Sequence, residues 1–292
     1  GFVVFPFFLL YESFIQCIFA KVTNFKKMKN ILVPVGSTEN GINNLKYAVN
    51  FASMSGGKVY LINIYKEFSR VGGLTKVNQL MIEENEKQLE EVISEVNTIG
   101  VEVIAKPIKG NPFDGISRIS KQFNIDLIIV SPQSVEIKNE VYLGNITGKL
   151  VKQTEIPLLI VPKDYLFRKF DSILVAFKKG HFEKENVLEP LHNMVALFKS
   201  KINLLQVITP ETTEENKKID QELLDIKSTL TVTENATTFQ GVLEHFQSHN
   251  PDMLCVIRRK RGFFKKLWEK NIVLKRDFHT SKPLLILSGI QN

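Results

Sequence analysis

Thirteen residues from Arg258 to Lys270 (RRKRGFFKKLWEK) are where the charge surplus of this sequence collects, interleaved with aromatics, seven of them being Lys or Arg. Arg258, Arg259, Lys260, Arg261, Lys265 and Lys266 supply charge. Phe263, Phe264, Leu267 and Trp268 recur at i, i+1, i+4 and i+5, one face of a short helix. Arg and Trp are favoured at the centres of protein interfaces, which makes the segment a candidate docking surface for an acidic protein partner. Anionic lipid and nucleic acid use the same residue types, but one patch without a nucleic-acid module specifies no nucleic-acid target. The plainer alternative is a solvated basic loop whose aromatics rest on their own chain. Nothing comparable marks a catalytic centre. The histidines (His181, His192, His245, His249 and His279) are scattered, without HExxH spacing or a Cys/His cluster. His245 and His249 would share one helix face, yet no carboxylate at ligand spacing joins them, and a helix-surface pair accounts for them. GxSxG, Walker A and dinucleotide GxGxxG patterns are absent. The residue chemistry therefore points to binding rather than turnover, with no metal site.

Those residues need a scaffold, and composition bounds it. The 292 residues, 43% hydrophobic and 24% charged, suit a globular chain of two ordinary domains. A net charge of +7 permits acidic partners without requiring them. Two cysteines, Cys17 and Cys255, cannot build a disulfide framework, which fits a reducing, cytoplasmic setting. The first 27 residues differ from the rest. Gly1–Ala20 is almost wholly apolar, with Glu12 its only charge. The stretch reads as an upstream extension of a chain opening at Met28, as a membrane anchor, or as the core of a secretory signal that lacks a preceding basic segment, and a membrane association rests on it alone.

From Ile31 onward short β-branched runs alternate with longer helical stretches, the pattern of parallel βαβ units. Strands are expected at Ile31–Val35, Lys58–Tyr65, Val101–Lys106, Asp126–Ser131 and Pro157–Val161. Helices are expected at Asn40–Met54, Leu74–Thr98, Phe113–Phe123 and Ile146–Gln153. Then the order begins again. Ser172 follows Asn30 by 142 residues and Lys201 follows Lys58 by 143, whereas Asn250 and Pro283 follow Asn124 and Pro157 by 126. The second copy is thus shorter by about 16 residues in the stretch holding the long helix. The expected fold is α/β: two tandem doubly wound parallel-sheet domains of five strands each, at residues 28–163 and 170–289, with a ligand crevice at the carboxyl ends of the first and fourth strands.

At this point the residues resemble the universal stress protein family. ILVPVGSTENG looks like its first strand and loop, and Lys109-Gly110-Asn111-Pro112 like its turn before the third helix. Gly144-Asn145-Ile146-Thr147 followed by Ile156–Val161 looks like its helix start and last strand. The resemblance covers Met28 to about Ser288, taken as two copies. It implies an adenine nucleotide alpha hydrolase-like fold, a role in stress survival, and pairing of the domains through their last strands, within one chain or in a homodimer. It also implies a nucleotide site in domain 1 at Pro34, Gly36, Thr38, Ile64, Gly110, Ser131, Ser134, Gly144, Asn145 and Thr147. ATP-binding members carry Gly, two residues, Gly, nine residues, Gly, then Ser or Thr. Here Ser131 and Ser134 stand at the first two glycine places, Gly144 keeps the third, and Asn145 takes the hydroxyl place. Pro132 removes an amide donor, and Gly36 stands where an acidic residue contacts the nucleoside. Thr38 and Thr147 remain as anion contacts at helix N-termini. Two readings follow: a non-catalytic stress-response module whose nucleotide site is degraded, or an ATP-binding protein using domain 1 as a sensor or weak ATPase.

Overall fold

The computed structural model describes residues 28–65, 75–134, 141–142, 145–182, 184–259 and 282–289. The apolar 1–27 stretch and most of the basic aromatic segment (Lys260, Arg261, Phe263, Phe264, Lys265, Lys266 and Trp268), with Gly144 and His279, lie outside the described residues.

The first copy runs β1 (Asn30–Val35), α1 (Thr38–Ser55), β2 (Lys58–Tyr65), α2 (Thr75–Ser94), β3 (Val103–Lys109), α3 (Pro112–Gln122) and β4 (Leu127–Val130). A ribbon of β5 (Gln133–Ser134) and β6 (Val141–Tyr142) follows, then α4 (Asn145–Gln153) and β7 (Leu158–Ile160). The second copy runs β8 (Ser172–Phe177), α5 (Glu189–Phe198), β9 (Lys201–Ile208), α6 (Glu214–Lys217), α7 (Gln221–Ile226), β10 (Thr229–Glu234), α8 (Thr238–His249), β11 (Met253–Arg258) and β12 (Leu284–Ser288). The third strand begins two residues later than expected and continues through Pro107 to Lys109. The long helix stops at Ser94, short of the expected Thr98.

Among the described residues ten strands form one sheet, in the order β10-β9-β8-β11-β12-β7-β4-β1-β2-β3. Each half of this sheet has the same order about its own first strand, and within each half of it every pairing is parallel. The halves meet where β7 and β12 pair antiparallel, Leu159 opposite Leu285. The central strands β4 and β11 are buried along their whole length, as a sheet covered on both faces requires. One face packs Leu45, Phe51, Leu89 and Val92 of the first half and Leu191, Phe198 and Leu223 of the second. The other packs Ile116, Leu150, Val242 and Phe246.

The repeat extends to individual hydrogen bonds. Asp126 accepts from the amides of Lys29 and Asn30, both at 3.0 Å. Asp252, 126 residues on, accepts from those of Asp171 and Ser172, also at 3.0 Å. Each carboxylate thereby fastens the start of its first strand to its fourth. No described helix is long and apolar enough to cross a membrane.

Candidate functional site: the carboxyl end of the sheet

Parallel strands that all end on one side leave their last carbonyls and the following helix N-termini facing a common crevice. In the first half that edge is built from the β1–α1 turn, the residue after β4, and the turn between β3 and α3. Ser37 caps α1 through its hydroxyl, which accepts from the Asn40 amide at 3.3 Å, and this sets Gly36 and Thr38 at the mouth. Gly110 has φ +132, a conformation side chains rarely adopt, and its amide donates to the Tyr65 carbonyl at 2.9 Å. Asn111 then caps α3, with Pro112 in the first turn. Behind this turn Ile64 and Ile108 approach the backbone of Gly115 so closely that a β-carbon there would meet them at 3.3–3.4 Å. Half-buried Pro34 belongs to the same mouth, at the end of β1.

Ser131 is 5% exposed and its oxygens are already engaged. Its hydroxyl donates to Asn44 Oδ1 at 2.6 Å and accepts from Asn43 Nδ2 at 3.3 Å. Its carbonyl accepts from the Thr147 hydroxyl at 3.2 Å. Thr147, expected as an anion contact, therefore ties α4 to the end of β4. Asn43 extends the lattice to the Pro162 carbonyl at 3.4 Å and accepts from the Asp164 amide at 3.1 Å. Thr38 is also engaged, accepting from Gln88 Nε2 at 3.3 Å, and Gln88 in turn accepts from buried Asn63. Ser134 lies in the β5–β6 ribbon and Asn145 opens α4.

Asn43, Asn44, Asn63 and Gln88 were not foreseen. A signal existed for one of them. Asn63 interrupts the apolar strand KVYLINIY, and Gln206 interrupts KINLLQVI at the matching place, 143 residues later. Each sits beside the end of its half's first strand, where a polar side chain can hold the covering segment.

In the second half that covering segment closes over the strand ends. Gln206 is 3% exposed and donates to the carbonyls of Asn216 and Lys217 at 3.3 and 3.1 Å. Gly180 forms a bridge with Ile219, whose Cα would lie 2.7 Å from an added β-carbon. The Asp220 carboxylate accepts from the Phe182 amide and meets His181 Nδ1, both at 2.9 Å.

Arg258 corrects the expectation of a basic docking surface at its first residue. It is 6% exposed and turned inward. Its guanidinium donates to the carbonyls of Lys152 and Thr154 at the end of α4, the latter at 2.7 Å, and to Ser288 Oγ at 2.9 Å. Burial works against its charge, and nearby Glu155 partly offsets this. The carbonyl-rich end of a helix, the negative pole of its dipole, explains why a cation settles there. Arg259 donates to the carbonyls of Lys179 and His181 and lies 5.4 Å from the centre of the Phe182 ring. The His245 and His249 rings stack at 3.8 Å on α8, and burial, more than His249, lowers the His245 pKa. Among the described residues no group of three or more His, Cys, Asp or Glu could hold a metal ion.

Comparison with known proteins places this geometry. Residues 27–162 match the universal stress protein family. The chain is 22% identical over 140 residues to a universal stress protein of Methanocaldococcus jannaschii, which covers 46% of this chain and 82% of that relative. A second universal stress protein of the same organism is 23% identical over 154 residues, 46% of this chain and 95% of the relative. The crystal structure of a universal stress protein from Archaeoglobus fulgidus matches 91% of this chain and 100% of its own, with a TM-score of 0.69 at 16% identity. That last likeness is one of fold, and its extent takes in both halves.

Proposed function

Residues 27–162 match the universal stress protein family, and from that premise we propose a non-catalytic binding and regulatory role in the stress response, carried by tandem domains at 28–163 and 170–289, the first with a degraded nucleotide site. The observation that carries this reading is the engagement of Ser131. A phosphate needs donors free to turn toward it. At the end of β4 the Ser131 hydroxyl already donates to Asn44, and the Thr147 hydroxyl already donates to the Ser131 carbonyl. Pro132 has no amide hydrogen, and Gly36 brings no carboxylate to the nucleoside. These engaged hydroxyls among the described residues support the reading of a site degraded for a triphosphate. In the second half the strand ends are covered by the 209–220 segment, which supports a role there other than ligand capture. A cytoplasmic setting is supported by Cys255, a buried free thiol whose pKa burial pushes well up.

A second reading, the first half as an adenine-nucleotide sensor or weak ATPase, draws on the open Gly110 turn and the apolar wall of Ile64 and Ile108. Calorimetric titration of the full chain with ATP, with and without magnesium, separates the two. The proposal expects no saturable heat at millimolar ATP. Saturable binding that disappears in Gly144→Val would overturn it in favour of the sensor.

A further inference from the structure

Among the described residues the sheet ends in two edge strands, β3 and β10, because the last strands of the two halves are spent on each other. An exposed edge strand offers unpaired N–H and C=O groups to any other strand, and proteins guard against this with proline, charge or a covering element. The β3 edge is guarded in all three ways. α2 covers one face of it, Lys106 and Lys109 are exposed, and Pro107 lies in the strand. The Val59 amide donates to Glu102 and the Gly110 amide to Tyr65, so alternation turns the odd-numbered β3 residues outward. Pro107 thus blanks an outward amide.

Among the described residues the β10 edge has no proline and no buried residue, and its one charge, Glu234, stands at the last position of the strand. In β9, Lys201 bonds back to Asp171 of the neighbouring β8 connection, while the Ile202 and Ile208 carbonyls accept from Ser228 and Asn235. Even-numbered β9 residues therefore face β10, and Leu230, Val232 and Glu234 turn their own N–H and C=O groups outward. Val232 lies opposite Gln206 as Pro107 lies opposite Asn63. The position that proline guards in one half is a valine, 56% exposed, in the other. Leu230 beside it is 37% exposed, and no residue of β10 is buried. The second copy is the shorter one here, with α6 and α7 standing where the first has the long α2.

The sequence of the edge identifies its occupant. Thr229-Leu230-Thr231-Val232-Thr233 has the same pattern read in either direction about Thr231. A two-fold interface sets such a strand against its own copy in the opposite direction, so like side chains meet like. We propose that β10 pairs antiparallel with β10 of a second copy of this chain, the axis passing beside Thr231. In this register Leu230 faces Val232 of the partner subunit, and the two exchange N–H···O=C bonds through the groups that point outward. The four apolar side chains form one patch on the face that carries Leu204 and Gln206. Thr231 meets Thr231 of the partner subunit as a non-hydrogen-bonded pair, and Glu234 falls opposite Ser228 of the partner subunit, so no like charges oppose each other. The chain of two five-stranded halves becomes a dimer with one continuous sheet.

Sedimentation of the full chain at micromolar concentration tests this. The wild type sediments as a dimer. Val232→Pro, which copies the guard of β3 and removes only an outward amide, weakens dimerisation at least tenfold while leaving far-UV circular dichroism and the unfolding midpoint unchanged. Val232→Lys does the same by placing charge in the apolar patch. Under mild oxidation Thr231→Cys cross-links two chains, because non-hydrogen-bonded partners have Cα atoms ~4.5 Å apart. Thr229→Cys, whose partner is position 233, does not. A monomeric wild type, a dimer indifferent to both Val232 substitutions, or equal cross-linking at positions 229 and 231 overturns the proposal.

Discussion

Ser131 shows how a residue type can match a ligand site while its environment assigns it other work. Its hydroxyl is held at 2.6 Å by Asn44, itself 2% exposed. Ser131→Ala leaves the Asn44 oxygen buried without its donor, which costs about 1–3 kcal/mol. Urea unfolding measures this as a lower midpoint at unchanged slope. The sequence contains both partners, Ser131 and Asn44, but they are 87 positions apart. Spacing along the chain therefore shows a degraded glycine loop, while the bonds that occupy it depend on the α1–β4 contact. Arg258 misleads for the same reason. Charge counting groups it with its neighbours, whereas alternation along β11 turns it to the face where α4 ends.

At the scale of elements, the two copies can be compared cap by cap. α1 ends at Gly56 (φ 64), whose amide donates to Ala52; α5 ends at Lys199 (φ 60), whose amide donates to Val195. The geometry is the same, but lysine bears a steric cost in the left-handed region that glycine does not. Lys199→Gly is expected to stabilise the protein by roughly 0.5–1 kcal/mol net of the added freedom of the unfolded chain, read as a raised thermal midpoint. Most elements were legible because buried parallel strands are continuous apolar runs and their helices carry strong caps. β2 was bounded to the residue, and the repeat offsets located the second copy. β10 was not legible: TLTVTE lacks the apolar run of a covered strand because nothing covers it. The β5–β6 ribbon, two residues a side, is too short for any periodicity to register.

At the scale of the whole molecule, the question is whether the halves unfold together. Among the described residues, three of the features that join them bear on this. β7 and β12 share a short antiparallel ladder, Leu284–Ile286 against Leu158–Ile160. Phe51 of α1 meets Phe198 of α5 edge-on at 5.7 Å, with Phe167 of the connecting segment against both. On the opposite face, Arg258 of the second half holds the end of α4 in the first. Arg258 stands where the first half has Pro132, 126 residues earlier, so this tie has no symmetric counterpart at Pro132. Removing it leaves two carbonyls and Ser288 without their shared donor, and hydrogen bonds to a charged group contribute about 1.5–3 kcal/mol. Arg258→Ala is accordingly expected to cost about 2–3 kcal/mol, and Arg258→Lys most of that, since one ammonium cannot reproduce the guanidinium fork. The cost falls on the contact between halves rather than within either. In the wild type, hydrogen exchange should show the amides of β1–β7 and those of β8–β12 losing protection over the same range of urea concentration. In Arg258→Ala the two should separate. Coincident curves in the variant would mean that the β7–β12 ladder and the aromatic contacts couple the halves without it.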